Sequence, residues 1–371
     1  MRRRSPHLRL LFTLGAILCA VSVWACSVPV FRYALEHWDA APFQAFVFHR
    51  GPLTEAQQTA ARDLGPDGLA GKLHANISLR SVDLDQDPPP ELLELSREAG
   101  ADSLPWLVVK FPATNRVTST VLSAPLTAKS AAQLLDSPAR KQITGRLSEG
   151  ASAVWVLLES GDAARDSAAA ELLETRLKYL ASVLQLPALD AQDIANGLVS
   201  VGQEGLRLDF SLLRVSRSDA REQAFIQMLL GAEADLKDAK EPIAFPVFGQ
   251  GRALYAIVGD GIRTETIDKA ASFLIGKCSC QVKEQNPGAD LLLAADWKSL
   301  IASQSAGIPD LPTMAELTKS APVSVTISGG TQSAARADPP QAGPKQEALL
   351  VAFAVGTAVM IAVLAFPRRE K

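Results

Sequence analysis

The sequence predicts an α/β protein in which one order of strands and helices, β-α-β-α-β-β-α, is passed through twice. Three observations point there. The order can be read over residues 42–148 and again over 150–282. A proline stands at the third strand of each pass. Both passes lie between apolar runs, at 10–25 and 348–366, each with a basic cluster on its outer side. Of the 371 residues 47% are hydrophobic but only 6% aromatic, so the cores should be aliphatic, and the length suits about two domains. A net charge of −3 gives no reason to expect a nucleic-acid partner.

Residues 1–25 begin with Arg2, Arg3 and Arg4 and end in Val23-Trp24-Ala25, the layout of a signal peptide or an N-terminal anchor. Three fates stay open: cleavage before Cys26, lipidation of Cys26, or retention as an anchor. At the other end, 347–367 contains an uncharged apolar run that opens at Ala348 and closes at Phe366. At 1.5 Å per residue it is long enough for a transmembrane helix. Positive charge resists translocation, so Arg368, Arg369 and Lys371 assign the tail 368–371 to the cytoplasm. The body between the two runs is then extracytoplasmic, on the periplasmic side of a cytoplasmic membrane.

Residues 26–41 form a juxtamembrane helix, which Pro29 can open at its first turn. Either it packs Phe31, Leu35 and Trp38 onto the body, or it lies at the membrane surface with Tyr33 and Trp38 in the interface. Strand character follows at 43–48, and Thr54 can cap a helix through 64, where Gly65-Pro66-Asp67-Gly68 breaks the chain. A second strand covers 77–84 and a helix 91–99. Pro105 leads directly into the strand ending at Phe111, which pairs with 117–122 before helical segments at 127–147. The second pass has a strand at 153–158, a long helix at 162–186, a strand at 206–215 and a helix at 219–230. Pro246 lies in 242–248, the turn Gly249-Gln250-Gly251 leads into a return strand at 252–258, and a helix covers 265–275.

On this order, with Asp83-Leu84-Asp85 after the second strand and Pro105-Trp106-Leu107-Val108-Val109 at the third, the chain resembles the thioredoxin-like superfamily over 42–148, and the second pass repeats it. The resemblance implies two tandem thioredoxin-like domains, each with a four-stranded sheet. It also implies a proline that faces the start of the first helix, cis at Leu104–Pro105, with Pro246 as its counterpart. It places a Cys-x-x-Cys pair between first strand and first helix, but His49-Arg50-Gly51-Pro52 and Ser160-Gly161-Asp162 stand there instead. Thiol–disulfide chemistry is therefore excluded at both positions. His49 and Arg50 either bind an anion at the helix start or are solvated loop residues.

The remaining chemical candidate is Cys278-Ser279-Cys280, after a helix end where partial negative charge disfavours a thiolate. A small structural disulfide, or pairing of one of them with Cys26, is one reading. A strained disulfide acting as oxidant, a Cu(I) site of two thiolates, and plain thiols in a covered loop are the others. Zinc would need further ligands, and the body offers only His37, His49 and His74. Residues 283–327 form a C-terminal extension packing on the second domain, and 328–346 is a Gly/Ala/Pro/Gln-rich flexible linker.

The sequence thus predicts a non-catalytic binding or scaffold module without a cofactor. It would be tethered to the membrane and serve a membrane-protein complex of the envelope. The alternative is a thiol-disulfide oxidoreductase or Cu(I)-handling protein using Cys278 and Cys280.

Overall fold

In the computed structural model the described residues are 26–100, 103–114, 119–278 and 281–305, all within one compact unit. The expectations for 1–25, Cys280, 306–327, the linker and the C-terminal span lie outside them. Among the described residues no helix is long and apolar enough to cross a membrane.

Helix α1 (Val30–His37) precedes strand β1 (Phe43–His49). Helices α2 (Glu55–Asp63) and α3 (Leu69–Lys72) and strand β2 (Ile77–Asp83) follow. Next come α4 (Pro90–Glu98), β3 (Trp106–Lys110), β4 (Thr120–Pro125), α5 (Ala128–Leu135) and α6 (Pro138–Ser148). The sheet order is β2-β1-β3-β4, with β1 parallel to β2 and antiparallel to β3. Local chemistry sets the helix starts. Thr54 and Gln57 form a capping box at α2, Thr127 and Ser130 one at α5, and Ser137 caps α6, which opens at Pro138.

The second half begins with β5 (Ala153–Glu159), α7 (Ala163–Val183), α8 (Ala191–Ala195) and β6 (Phe210–Ser216). It continues through α9 (Gln223–Leu230), β7 (Ile243–Phe248), β8 (Arg252–Ala253), β9 (Ile257–Val258), α10 (Thr264–Ile275), β10 (Ala289–Asp290) and α11 (Trp297–Ser305). The molecule is mixed α/β with two sheets, consistent with two thioredoxin-like units. The second sheet has six strands rather than the expected four. Its return strand is broken: β9 pairs the start of β7 and β8 its end, with the register slipping by one residue between them. Strand β10 adds a further edge from the C-terminal extension.

Strand β5 shows how the layers are arranged. Val154, Val156 and Leu158 point into a cluster that also holds Val47, Leu107 and Val109 of the first sheet. Ala153, Trp155 and Leu157 point the other way, into a second cluster with Leu173 and Leu177 of α7 and Ile267 and Leu274 of α10. Alternation with period two therefore buries both faces of one strand. The sheets share a core and are not separate beads. A third, smaller cluster covers the outer face of the first sheet with Leu92 and Leu95 of α4.

The N-terminal segment belongs to the second sheet's core although the first sheet follows it in sequence. Cys26, Val28, Phe31, Tyr33 and Trp38 all sit in the second cluster. Tyr33 and Trp38 are 6% and 4% exposed, which overturns the membrane-surface reading of this helix. Its one buried cation, Arg32, pairs with Glu36 at 2.5 Å, and Glu36 also accepts from the backbone N–H of Ser200 at 2.7 Å. Gly249 (φ +60°) permits close approach, because a Cβ there would lie 2.9 Å from the Ala34 Cβ.

Two polar side chains, buried Arg140 and half-buried Asn76, tie the extension to the first half. Arg140 donates to the carbonyls of Gln133 and Leu134 at the end of α5, 2.7 and 2.6 Å away, and to Leu292 at 3.3 Å. Burial pushes its guanidinium down to about 10, against the pull of Asp136 and Glu222. Asn76 donates to the carbonyls of Ala41 and Leu291 and accepts from the Leu293 N–H.

Candidate functional site

The first sheet brings His49, Arg50 and Pro105 to one end, as the sequence implies. Phe48 pairs with Trp106, so the cis bond at Leu104–Pro105 lies beside the turn after β1. His49 is held through both ring nitrogens, Nδ1 at 2.8 Å from the Gly51 carbonyl and Nε2 at 2.9 Å from the Ser81 hydroxyl. A carbonyl only accepts, so Nδ1 carries a proton. Arg50 pairs with Asp85 at 2.7 Å, both more than half exposed, and such a pair contributes at most about 1 kcal/mol. The Gly51 N–H donates to Asp83, and the capping box occupies donors at the start of α2. The place where the resemblance puts a dithiol is here a closed loop of mutually bonded side chains.

Pro246 does not hold the corresponding place in the second sheet. Leu158 pairs with Ile243 as Phe48 pairs with Trp106, so the counterpart of Pro105 is Pro242, in a trans peptide. Pro246 lies inside β7, opposite Trp155, at the point where the β8 and β9 registers slip. A strand-interior proline has no N–H for the ladder and belongs at such an irregularity. Counting each proline from its strand start, rather than from the apolar run, separates the two.

Around Pro242 the geometry differs from the first sheet. Gly161 (φ +95°) turns the chain after β5 as Gly51 (φ +61°) does after β1. Asp166, 4% exposed, accepts from the N–H and hydroxyl of Ser160 at 2.7 and 2.8 Å and from the Gly161 N–H at 2.9 Å. Asp162 caps α7, and hydrogen bonding, first from the Arg165 backbone N–H and then from its side chain, holds the Asp162 carboxyl below the usual range. Arg217 donates to the carbonyls of Glu159, Ala239 and Glu241, bracing the segment that leads into Pro242, and burial pushes its guanidinium down.

These elements frame a groove of about 680 Å³, within the range of ligand sites. Ala168 and Leu172 of α7 form one wall and Pro242 and Ile262 the other. Arg165 contributes a cation and Glu241 and Asp260 carboxylates. No cysteine lines it. The arrangement can hold a ligand that offers apolar groups between separated charges. Arg217 and Asp166 carry no motif in sequence; their roles arise from long-range bonds and from burial.

The cysteines lie elsewhere, and Cys278 is not the peripheral residue its place after the last helix suggests. It is 1% exposed, inside the second cluster. Lys277 forms an antiparallel bridge with Pro29, the Val30 N–H donates to Gly276 and the Cys278 N–H to Val28, each at 2.9 Å. Cys26, also buried, is a free thiol whose pKa burial raises. Its side chain is 3% exposed, inside the second cluster. Among the described residues no three His, Cys, Asp or Glu side chains come together as a metal site.

No family model matches the chain, and no curated protein matches it. Among solved structures, the crystal structure of full-length ERdj5 is similar over 70% of this chain and 33% of that one. The identity is 11% and the TM-score 0.21. This chain thus spans about a third of that chain's length. Such a likeness says nothing of activity, ligand or partner.

Proposed function

We propose that this protein is a non-catalytic binding or scaffold module made of two thioredoxin-like units that lack the dithiol. Its body is held outside the cytoplasm by the terminal apolar run and serves a membrane-protein complex of the envelope. The observation that carries the reading is the groove beside Pro242. The position that would hold a nucleophilic thiol is a loop locked by Asp166, while the space next to it is open and lined for binding. Reactive cysteines sit in electropositive, partly exposed surroundings, and neither Cys26 nor Cys278 does.

The test uses the full chain in detergent. A photo-crosslinker at Ala168 is expected to capture an envelope partner, capture is lost in Asp260→Arg in the groove lining, and a crosslinker at exposed Lys178 gives none. Dithiol-dependent disulfide reduction by the same preparation should be negligible. Turnover that disappears in the Cys278→Ser/Cys280→Ser variant would replace this reading with the oxidoreductase one. Stoichiometric Cu(I) uptake lost in that variant would replace it with copper handling.

A further inference from the structure

We propose that the edge of β9 takes up an extended segment of a partner protein as an added strand, and that a lysine or arginine of that segment enters the cavity beside Tyr255. The backbone sets the edge. Ala244 pairs with Ile257, and the Gly259 N–H donates to the Pro242 carbonyl at 2.9 Å, so Ile257 and Gly259 face β7. Ala256 and Val258 therefore turn their peptide groups the other way. A Glu233 carboxylate oxygen holds the Ala256 N–H at 2.7 Å, while the Ala256 carbonyl and the Val258 N–H bond to no described residue outside the strand. Strand β10, which begins at Ala289 after Gly288 (φ +120°), covers the neighbouring stretch only as far as Ala253. A donor and an acceptor on an uncovered edge are a template for one more strand.

Successive side chains of an added strand point to opposite faces of the sheet, and each face here has a space to receive them. On the shared-core face lies a cavity of about 460 Å³, lined by Phe245 and Ala253 together with Tyr255, Glu233 and Asp235. On the α7 face lies the groove, with Ala169 and Ile262 of the second cluster. Leu254 to Ala256 line the cavity and Val258 to Asp260 the groove, so the two spaces flank β9. Charge selects the occupant. Among the described residues the cavity lining has two carboxylates, one phenol and no cation. Burial raises the Tyr255 pKa and keeps its ring neutral. An ammonium or guanidinium on a long apolar stem meets both the apolar walls and the carboxylates. The groove's part in this rests on the reading proposed above; the edge and the cavity do not.

The full chain in detergent is titrated with a fluorescent peptide, Ser-Val-Lys-Val-Ser, and with the same peptide carrying glutamate for lysine. The lysine peptide is expected to bind. Binding should be at least about tenfold weaker for the glutamate peptide, and for the lysine peptide on a chain with exposed Asp235→Lys. Amide exchange at Val258 should slow when the lysine peptide is added. No binding at about 1 mM, equal affinity for the two peptides, or unchanged exchange at Val258 would each overturn the proposal. A Val258 amide already protected in the free protein would do the same, because a second copy or a segment past residue 305 of this chain would then hold the edge. If the peptide fails while the Ala168 crosslinker still captures its partner, strand addition falls and the groove reading stands. If the peptide binds and slows Val258 exchange while capture fails, the edge stands and the groove reading falls.

Discussion

Ser27 gives both its backbone N–H and its hydroxyl to a single carboxylate oxygen of Asp193, each at 2.6 Å. The same hydroxyl accepts from the Asp190 N–H at 2.8 Å, so one serine pins the chain's first described residues to the loop around α8. Removing the acceptor leaves two donors of a buried residue unsatisfied. Asp193→Ala is therefore expected to cost about 2–4 kcal/mol in denaturant unfolding. It should also make the bond after Arg32 more open to trypsin. An unchanged midpoint and cleavage pattern would show that the segment is held by packing alone.

The turn at Gly249 offers a sharper probe of the same docking. Alanine there meets two costs, the left-handed φ and the collision with Ala34, whereas alanine at Gly100 meets only the first, since φ is +65° and nothing lies within 4 Å. Gly100→Ala should lose about 1 kcal/mol and Gly249→Ala at least about twice that. Equal losses in thermal or denaturant unfolding would mean that α1 yields freely.

Acid should act at Asp219. Hydrogen bonds from the Arg221 side chain, and then from its backbone, lower this carboxyl to about 2. A carboxyl depressed in the folded state stabilises it above the unfolded value near 3.9. That contribution fades as pH falls from about 4 to 2. The group is partly exposed and screened, so the readout is its own titration by carboxyl-carbon NMR. Arg221→Ala should return the midpoint towards the ordinary value. An unchanged midpoint would assign the shift to something other than this pair.

The proposed topology rests on the charge at the two ends of the sequence. A cysteine at exposed Asn196, the C-cap of α8, should react with an impermeant maleimide added to intact spheroplasts in a background lacking native cysteines. A cysteine at Glu370 should react only after permeabilisation. Labelling of both before permeabilisation would refute the tether.

Much of the fold was readable where local chemistry decides it. The Thr54 cap and the apolar run at β5 were both anticipated, and each lies within a residue or two of its expected place. What escaped depended on distant partners. Nothing in Ala289–Asp290 marks a strand until Arg252 and Ala253 lie beside it. The helix after Pro29 looked amphipathic because Arg32, Glu36 and His37 are polar, yet Arg32 and Glu36 are buried as a pair. Pro246 attracted attention through its apolar neighbours, while Pro242, which faces the groove, stands at the head of the same run 242–248 and follows a charged stretch. Half of the candidate site, His49, Arg50 and Pro105, was legible because strand ends and turns are local. The groove itself was not, because Arg165, Pro242 and Asp260 meet only through strand pairing.

The interleaving of residues 26–41 with the second sheet sets a timetable for the growing chain. The segment is synthesised ahead of the entire first sheet, and its partners around Cys278 and Gln281 emerge some 250 residues later. At about 5–20 residues per second that is a wait of roughly 12–50 s. During it Val28, Phe31, Tyr33 and Trp38 have no cavity to enter. The first sheet can assemble on its own strands while the second stays incomplete, and the earliest-made apolar segment is the last to find shelter. A nascent chain in this condition is a natural client for a holding chaperone, and the first residues past the N-terminal run are where one would bind.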